Sequence, residues 1–319
     1  MSDEKRLIES LRGIASHPAA RGLQDDAAVL AAPIGRDLVF THDMLVEGIH
    51  YLPSDPAGDV AWKLLAVNLS DLAAKGARPL GVLMGYTLAG DADWDTDFVA
   101  GLARACEHFA VPLLGGDTVA LPPGSPRSLG LTAIGEAPRG QAPSRAGARA
   151  GDRLWVSGPI GDAGLGLVIA RGMIDGPRRL LKAYRLPMPR LAEGQALAPH
   201  VHAMADISDG LLIDADRMAG ASRLAVAIDL DAVPLSPEAA GFGTDRAARL
   251  RATTAGDDYQ LLFAAPEEKT EKLLTLSSTL NATFTPVGRF ASGAGLRVSD
   301  EAGEVPLPER LGYEHGRHS

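Results

Sequence analysis

Strand-length apolar segments alternate with longer segments of helical periodicity along nearly the whole chain. In the first half, the strand-like segments are 37–46, 78–90, 111–119 and 128–137, and the helix-like segments are 59–77 and 95–111. The same alternation resumes at residue 152 and continues towards the C-terminus. This order of elements predicts an α/β fold, or the related α+β arrangement, in which helices cover a sheet.

A stretch rich in Gly, Pro, Ala and Arg interrupts this alternation at residues 135–152, which read GEAPRGQAPSRAGARAGD. It carries no apolar period, and its composition is typical of a linker or a domain boundary. The chain length of 319 residues gives room for two domains of ordinary size. We therefore expect two α/β domains of similar make-up, residues 1–140 and residues 150–319.

The composition excludes several classes of protein. Hydrophobic residues make up 46% and charged residues 22% of the chain, which is typical of a globular protein and excludes wholesale disorder. Lys and Arg number 31 against 40 Asp and Glu, and the net charge of -9 would repel a nucleic-acid backbone. The single cysteine, Cys106, cannot form an intrachain disulfide, and we find neither a secretory signal nor a membrane-spanning run. We expect a cytoplasmic protein with no nucleic-acid or membrane partner.

Aspartates recur where apolar segments end, at positions 25, 26, 43, 117, 206, 209, 257 and 258. Strand ends and the turns after them are where α/β proteins build their sites. Asp is also a common turn and N-cap residue, so local structure is the favoured explanation for any one of these positions. On that ground we expect Asp209 and Gly210 to form a turn and Asp214 to lie on the exposed face of the following helix.

Asp71 needs a further explanation, because residues 60–74 are apolar around nearly the whole circumference of a helix. Asn68, Asp71 and Lys75 have the spacing i, i+3, i+7 and therefore share one stripe of that helix. An aspartate in a buried stripe must be hydrogen-bonded, ion-paired or bound to a metal.

Several of these carboxylates together would require cations. If Asp26, Asp43, Asp71, Asp117 and Asp209 converge, a hard divalent metal with oxygen ligands is the simplest partner, and more than one Mg²⁺ ion is expected. The eight histidines and one cysteine lack the spacing of a zinc site.

Glycine and basic residues suggest where phosphate could bind. The segment SGPIGDAGLGL, at 157–167, lies between a strand and a helix, where backbone amides could receive phosphate, although close packing explains its glycines equally well. In LLGGDTV we interpret Gly115 and Gly116 as a turn that approaches a ligand, followed by Asp117 as a metal ligand. Arg145 could clamp a phosphate. A lone histidine in a loop, such as His50, is more often structural or simply exposed than functional.

Seven motifs taken together resemble one known family. In chain order they are GLQDDAAVL, THDMLVEGIHYLP, AVNLSDLAAKGARP, LLGGDT, DISDGL, GDDYQLLF and GYEH. Their order and spacing are similar to those of the thiamine-monophosphate kinases, which share a superfamily with aminoimidazole ribonucleotide synthetase and selenophosphate synthetase. The resemblance extends from about residue 7 to about residue 315.

The resemblance implies an ATP-dependent, Mg²⁺-assisted phosphorylation of thiamine monophosphate to thiamine diphosphate, in thiamine diphosphate biosynthesis, with no general base. It also implies two α/β domains, of which the N-terminal ones pair in a homodimer through a shared barrel, with ATP near that interface. The implied metal ligands are Asp26, Thr41, His42, Asp43, Asp71, Asp117, Asp206 and Asp209. The implied ATP contacts are Gly116, Asp117, Arg145 and Ser208, and the implied substrate contacts are His50, Asp257 and Tyr313.

The chain departs from the family pattern at three places. Gln24 stands where the family usually has the second glycine of Gly-Ile-Gly. His42 stands where Thr is common, and Asp257 replaces a frequent Glu and is one methylene shorter.

Three other functions account for part of the sequence. A purine-pathway synthetase of the same superfamily leaves VEGIHYLP and GYEH unexplained. A metal-dependent phosphohydrolase also assembles aspartates but transfers the phosphoryl group to water. A catalytically silent binding protein would have no need to keep the aspartates and glycines.

Overall fold

The chain folds into two units, each built on its own mixed β-sheet. The computed structural model describes residues 2–314 and residue 316, so His315 of the GYEH motif lies outside the described residues. The first unit comprises the chain up to Leu72 together with Arg78–Gly140, and the second comprises Ala73–Ala77 and the chain from Gln141 onwards. Each unit combines strands with helices, which confirms the predicted α/β class.

The sheet of the first unit is mixed. Its strands are β1 (Arg36–Val46), β2 (Arg78–Leu88), β3 (Leu113–Ala120) and β4 (Ser128–Pro138), and the helices are α1 (Asp3–Arg12), α2 (Ala57–Ala74) and α3 (Ala92–Phe109). The strand order is β1-β4-β2-β3, in which β4 is antiparallel to both neighbours and β2 is parallel to β3. β1 is therefore an edge strand.

Helix α2 is almost fully buried, as its apolar sequence predicts. Leu64, Leu65 and Leu69 each have no solvent-accessible surface. The polar positions of the predicted stripe contact β1, since Asn68 accepts a hydrogen bond from the Asp43 amide at 3.0 Å and Asp71 accepts one from the Thr41 hydroxyl. The helix is thus held against one face of the sheet by apolar burial together with two polar contacts.

The opposite face of β1 carries exposed apolar side chains. Leu38 is 41% exposed, Phe40 61% and Met44 51%, and these positions alternate with the inward-facing ones. We refer to Leu38, Phe40 and Met44 as the β1 apolar row.

The second unit contains a seven-stranded sheet in the order β11-β10-β7-β9-β5-β8-β6. The strands are β5 (Arg153–Val156), β6 (Ala203–Ile207), β7 (Ala225–Asp229), β8 (Gln260–Ala265), β9 (Thr285–Ala291), β10 (Gly295–Asp300) and β11 (Gly303–Val305). The helices are α4 (Asp162–Ala170), α5 (Arg178–Arg185), α6 (Leu191–Leu197), α7 (Leu211–Ser222), α8 (Pro237–Ala240), α9 (Arg246–Thr254) and α10 (Thr270–Thr279). β7 and β10 pair in parallel, and the other described pairs are antiparallel.

Strand β8 is buried along its whole length and separates two apolar clusters. Leu262 and Ala264 face a cluster that includes Met218 of α7. Leu261 and Phe263 face the other cluster, in which Phe263 stacks near Trp155 of β5 with ring centroids 6.2 Å apart. A strand covered on both faces is expected to be continuously apolar, as this one is after its first residue, Gln260. No helix among the described residues is both long and apolar enough to cross a membrane.

The end of α2 belongs to the second unit, which the sequence pattern does not indicate. The Lys75 ammonium donates to the carbonyl oxygens of Pro143 and Met204 at 3.2 and 3.4 Å. Gly194 of α6 lies so close to this segment that a Cβ atom there would be 2.0 Å from the Ala73 carbonyl oxygen. Close backbone packing therefore fixes residues 73–77 to the second unit.

The glycines of 157–167 are explained by packing. A Cβ atom on Gly166 would lie 2.1 Å from the Leu180 carbonyl oxygen and 2.9 Å from the Tyr184 Cβ, because α4 and α5 cross at this point. Only glycine allows that approach without displacing α5.

We expect Gly166→Ala to lower the free energy of unfolding by roughly 1–3 kcal/mol, because the added methyl group must push the two helices apart. The matched control is Gly220→Ala, also in a helix, where no atom lies within 4 Å of the new Cβ. That change should be neutral or should stabilise the protein by up to about 1 kcal/mol, through helix propensity. Chemical denaturation of both variants measures the difference, and equal stabilities would contradict the packing explanation.

Candidate active site

A cavity of about 600 Å³ in the first unit brings four of the predicted site residues together. Its lining includes Asp26, His42, Gly116 and Asp117, with Asp25 beside them. Together with Glu4, four carboxylates therefore border one cavity that is large enough for a nucleotide.

The LLGGDTV segment lies inside strand β3, so its interpretation as a turn was wrong. Gly116 is paired with Met84 of β2 and Asp117 with Gly85. A Cβ atom on Gly116 would lie 1.9 Å from the Met84 carbonyl oxygen, so the neighbouring strand requires this glycine. The strand leaves the Asp117 side chain exposed at the cavity wall.

Strand β1 directs its predicted ligands to opposite faces. The His42 ring lines the cavity, and its Nδ1 atom lies 2.9 Å from the Thr132 hydroxyl oxygen on β4. Thr41 and Asp43 face α2 instead, where the Thr41 hydroxyl donates to the Asp71 carboxylate. The alternation of a strand therefore separates the side chain of His42 from those of its two neighbours.

The loop before the strands has an unusual backbone. Arg21, Gly22 and Leu23 have φ values of 50°, 63° and 51°, in the left-handed region. Gln24, at the position of the missing glycine, has φ -114°, which any residue adopts, so this backbone does not require glycine there. The Arg21 guanidinium pairs with Asp25, and this hydrogen bond lowers the pKa of the Asp25 carboxyl. Asp26 remains exposed beside it.

His50 lies in a turn directly after β1. Its Nδ1 atom accepts a hydrogen bond from the Val46 amide at 3.0 Å, so in the neutral ring the proton is on Nε2. The Lys63 ammonium donates to the His50 carbonyl oxygen at 3.0 Å. The imidazole therefore has one nitrogen bonded within the turn and the other able to act as a donor.

In the second unit, the turn after β6 brings several predicted residues together. Asp206 lies on β6 and is 5% exposed, and Ser208 and Asp209 follow it. The Asp257 amide donates to the Ser208 carbonyl oxygen at 2.8 Å, and the Tyr313 amide donates to the Asp209 carbonyl oxygen at 2.9 Å. Three separate parts of the chain therefore meet at one turn through backbone hydrogen bonds.

Asp214 is 1% exposed, so the expectation that it lies on an exposed helix face was wrong. Its Oδ2 atom accepts hydrogen bonds from the amides of Ser208 and Asp209 at 3.2 and 3.1 Å. The Arg217 guanidinium lies between Asp214 and Asp209 and donates to both carboxylates. Burial raises the pKa of the Asp214 carboxyl. Asp214 and Arg217 thus fix the turn that carries two predicted site residues.

The amides at the start of α4, considered above as a phosphate site, bind a carboxylate of the chain itself. The Asp258 Oδ2 atom accepts from the Gly161 amide at 2.7 Å, and Oδ1 accepts from the Ala163 amide at 3.4 Å. Asp258 is 9% exposed, and burial raises the pKa of its carboxyl well above the ordinary value. It fills the position that a phosphate would take at this helix terminus.

Arg145 opens a short 3-10 turn, Arg145–Gly147, in the second unit. Its side chain is exposed, and its carbonyl oxygen lies 3.4 Å from the Ser222 hydroxyl of α7. An exposed guanidinium at this position is available to a phosphate group.

The donor set fits Mg²⁺ in its chemistry. Among residues 2–314 and 316, no three or more His, Cys, Asp or Glu side chains are grouped closely enough to hold a metal ion by themselves. Mg²⁺ is usually held by one or two carboxylates together with substrate phosphates, and the first-unit cavity offers Asp26 and Asp117. The complete ligand set remains a prediction.

The sequence analysis assigned no supporting role to four residues that support the site: Asp214, Arg217, Asp258 and Tyr259. Asp214 could have been noticed, because it shares an i, i+3, i+7 stripe with the apolar Leu211 and Met218. Asp258 and Tyr259 directly precede β8, but nothing local indicates that Asp258 binds an amide 97 positions earlier in the chain.

Both parts of the chain match family models of known proteins. Residues 24–137 match the model of the N-terminal domain of AIR synthase related protein, and residues 149–301 match the model of its C-terminal domain. A thiamine-monophosphate kinase of Caulobacter vibrioides is 39% identical over 306 residues, which cover 94% of this chain and 86% of that protein.

Solved structures agree with this match. The crystal structure of a thiamine-monophosphate kinase from Stenotrophomonas maltophilia is 36% identical, with a TM-score of 0.82 over 92% of this chain and 94% of that one. AaThiL complexed with AMPPCP and TMP is 29% identical, with a TM-score of 0.76 over 89% of each chain. The chain therefore belongs to the AIR synthase related family and, within it, to the thiamine-monophosphate kinases.

Proposed function

We propose that this chain transfers the γ-phosphoryl group of ATP to the phosphate of thiamine monophosphate and so produces thiamine diphosphate and ADP. The activity is supported by the near full-length similarity to thiamine-monophosphate kinases and by a neighbour bound to AMPPCP and TMP. The observation that carries the proposal at residue level is the cavity bordered by Asp26, His42, Gly116 and Asp117. A cytoplasmic location, where ATP is available, is part of the proposal.

The first-unit cavity is proposed to bind the nucleotide through its metal ions. Mg²⁺, when bound, would neutralise the phosphates and align the reacting oxygen atoms. Asp26 and Asp117 would hold metal from the cavity wall, with His42 beside them. Thr41, Asp43 and Asp71 on the α2 side of β1 are also proposed as metal ligands, and so are Asp206 and Asp209 of the second unit. Gly116, Arg145 and Ser208 are the proposed ATP contacts.

The acceptor phosphate is proposed to be recognised by other residues: His50, Asp257 and Tyr313. A His50 donor at Nε2 could bind a phosphate oxygen. Asp257 carries a negative charge that suits the cationic thiazolium ring, and Tyr313, which is 43% exposed, offers an aromatic surface for it. The substrate phosphate is already a nucleophile, so the chain has no need of a strong general base.

We also propose that two copies of the chain associate through the open face of the first-unit sheet and close a shared barrel. The β1 apolar row is exposed in the single chain, and β1 is an edge strand of its sheet. In a two-fold symmetric dimer, the partner chain would cover the β1 apolar row and the edge of β1 together.

We expect Asp117→Asn to lower turnover by roughly 10² or more, because it removes one preorganised electrostatic partner of the phosphates. Turnover is measured at saturating ATP, thiamine monophosphate and Mg²⁺, with Asp71→Asn as a second variant. Glu107→Gln on the exposed end of α3 removes the same charge away from the cavity and should leave turnover unchanged. Near-normal rates in folded Asp117→Asn and Asp71→Asn proteins would rule out the metal assignment.

His50→Ala should raise the KM for thiamine monophosphate more than the KM for ATP, because the lost contact belongs to the acceptor. Two further variants separate the ring nitrogens. His50→Asn keeps an acceptor near the Nδ1 position for the Val46 amide, whereas His50→Gln keeps a donor near Nε2. We expect His50→Asn to raise the KM for thiamine monophosphate as much as His50→Ala does. His50→Gln should raise it less. If both constants rise alike, or neither moves, His50 is structural.

Phe40→Asp should convert the proposed dimer into a monomer, because a charge in the β1 apolar row opposes burial of that face. Light scattering at micromolar concentration should give about twice 33.2 kDa for the unaltered chain and 33.2 kDa for the variant. Leu274→Asp on α10 alters a similarly exposed side chain, 51% exposed, and should leave the dimer intact. A mass of 33.2 kDa for the unaltered chain would contradict the proposal.

A further inference from the structure

The segment 256–259 has a strained backbone next to the turn that carries Ser208 and Asp209. Asp257 has φ 69° and Tyr259 has φ 49°, and both are non-glycine residues in the left-handed region. Such conformations cost free energy and persist only where the surrounding structure imposes them. Two of them in three residues indicate that this segment is held in one shape.

Contacts on several sides impose that shape. The Asp257 amide donates to Ser208 and the Tyr259 amide donates to Ile207, both at 2.8 Å. Between them, the buried Asp258 carboxylate is bonded to the first amides of α4. The backbone of Asp257 and Tyr259 is thus bonded to the end of β6 and the turn after it, and the Asp258 side chain is bonded to α4. These contacts fix the backbone, whereas the orientation of the Asp257 side chain depends on the contacts of its carboxylate.

The Tyr259 hydroxyl makes one such contact. It donates to the Asp257 Oδ1 atom at 2.9 Å, and Tyr259 itself is only 7% exposed. The two left-handed residues, Asp257 and Tyr259, have their side chains on the same side of the segment. The buried Tyr259 ring can therefore reach the half-buried Asp257 carboxylate. A hydrogen bond from a neutral donor to a charged acceptor is stronger than one between neutral groups.

We propose that Tyr259 is a positioning residue that holds the Asp257 carboxylate in the orientation needed to bind thiamine monophosphate. The proposal rests on the substrate role given to Asp257 above. Asp257 is a short side chain, so a fixed orientation matters more for its reach than it would for a glutamate. Tyr259 acts through Asp257 and is not assigned any contact with the substrate.

Tyr259→Phe tests the proposal, because it removes one hydroxyl and keeps the buried ring. We expect the KM for thiamine monophosphate to rise roughly five-fold or more, with less than a two-fold change in the KM for ATP and in kcat. A purely structural role would move all three values together.

A double-mutant cycle measures the coupling between Tyr259 and Asp257. It compares the KM for thiamine monophosphate in Tyr259→Phe, in Asp257→Asn and in the variant that carries both changes. Asp257→Asn should raise the KM for thiamine monophosphate at least as much as Tyr259→Phe does. In the Asp257→Asn background, loss of the hydroxyl should have little further effect, since its charged acceptor is already gone.

Tyr86→Phe is the matched control. The Tyr86 hydroxyl donates to the Asp95 carboxylate at 2.6 Å, so this variant also breaks a buried Tyr–Asp hydrogen bond, but in the first unit and outside the proposed site. It should lower the Tm and leave both KM values unchanged. Thermal unfolding of both Tyr→Phe variants verifies that each is folded under the assay conditions.

The outcomes distinguish this inference from the proposed function. If Asp257→Asn raises the KM for thiamine monophosphate while Tyr259→Phe does not, or if Tyr259→Phe raises both KM values alike, the positioning role is overturned and the substrate site stands. If Asp257→Asn has no effect on that KM, the substrate role of Asp257 fails, and the role of Tyr259 fails with it.

Discussion

The rest of this structure depends on one constraint: closely placed carboxylates need hydrogen-bond donors or cations that compensate their negative charge. A carboxylate that is partly removed from water must have donors, and like charges placed together raise each other's pKa. The chain meets this requirement with its own groups before any ligand is considered. The donors are Arg21 for Asp25, the Thr41 hydroxyl for Asp71, Arg217 for Asp209 and Asp214, the Tyr259 hydroxyl for Asp257, and the Gly161 and Ala163 amides for Asp258.

The carboxylates differ in burial, and two kinds have different consequences. Asp214 and Asp258 are bound by backbone amides and are buried, so they fix turns of the chain. Asp26 and Asp117 are exposed at a cavity, where cations and phosphates can reach them. The buried carboxylates therefore build the framework, and the exposed ones are the better candidates for chemistry.

The sequence predicts most of the elements but not their non-local contacts. The segment 37–46 became β1 at Arg36–Val46, and 59–77 became α2 at Ala57–Ala74, because periodicity is a local property. One error has a tertiary cause. The glycines of LLGGDTV suggested a turn, but pairing with β2 keeps them in a strand, where the Met84 carbonyl leaves no room for a side chain at Gly116. The error at Asp214 has a local cause, because its amide partners belong to the turn directly before its helix.

Strand β1 connects the proposed assembly with the proposed nucleotide site. Its outward-facing residues include Leu38, Phe40, His42 and Met44. The β1 apolar row and the His42 ring, which lines the cavity, therefore lie on the same face of the strand. A partner that covers the β1 apolar row must therefore also approach the cavity beside His42. Water would be excluded from the phosphates by the same contact that buries Phe40, and electrostatic interactions strengthen where water is excluded. On this reasoning, association of two chains and binding of the nucleotide should favour each other, because one face of the sheet serves both.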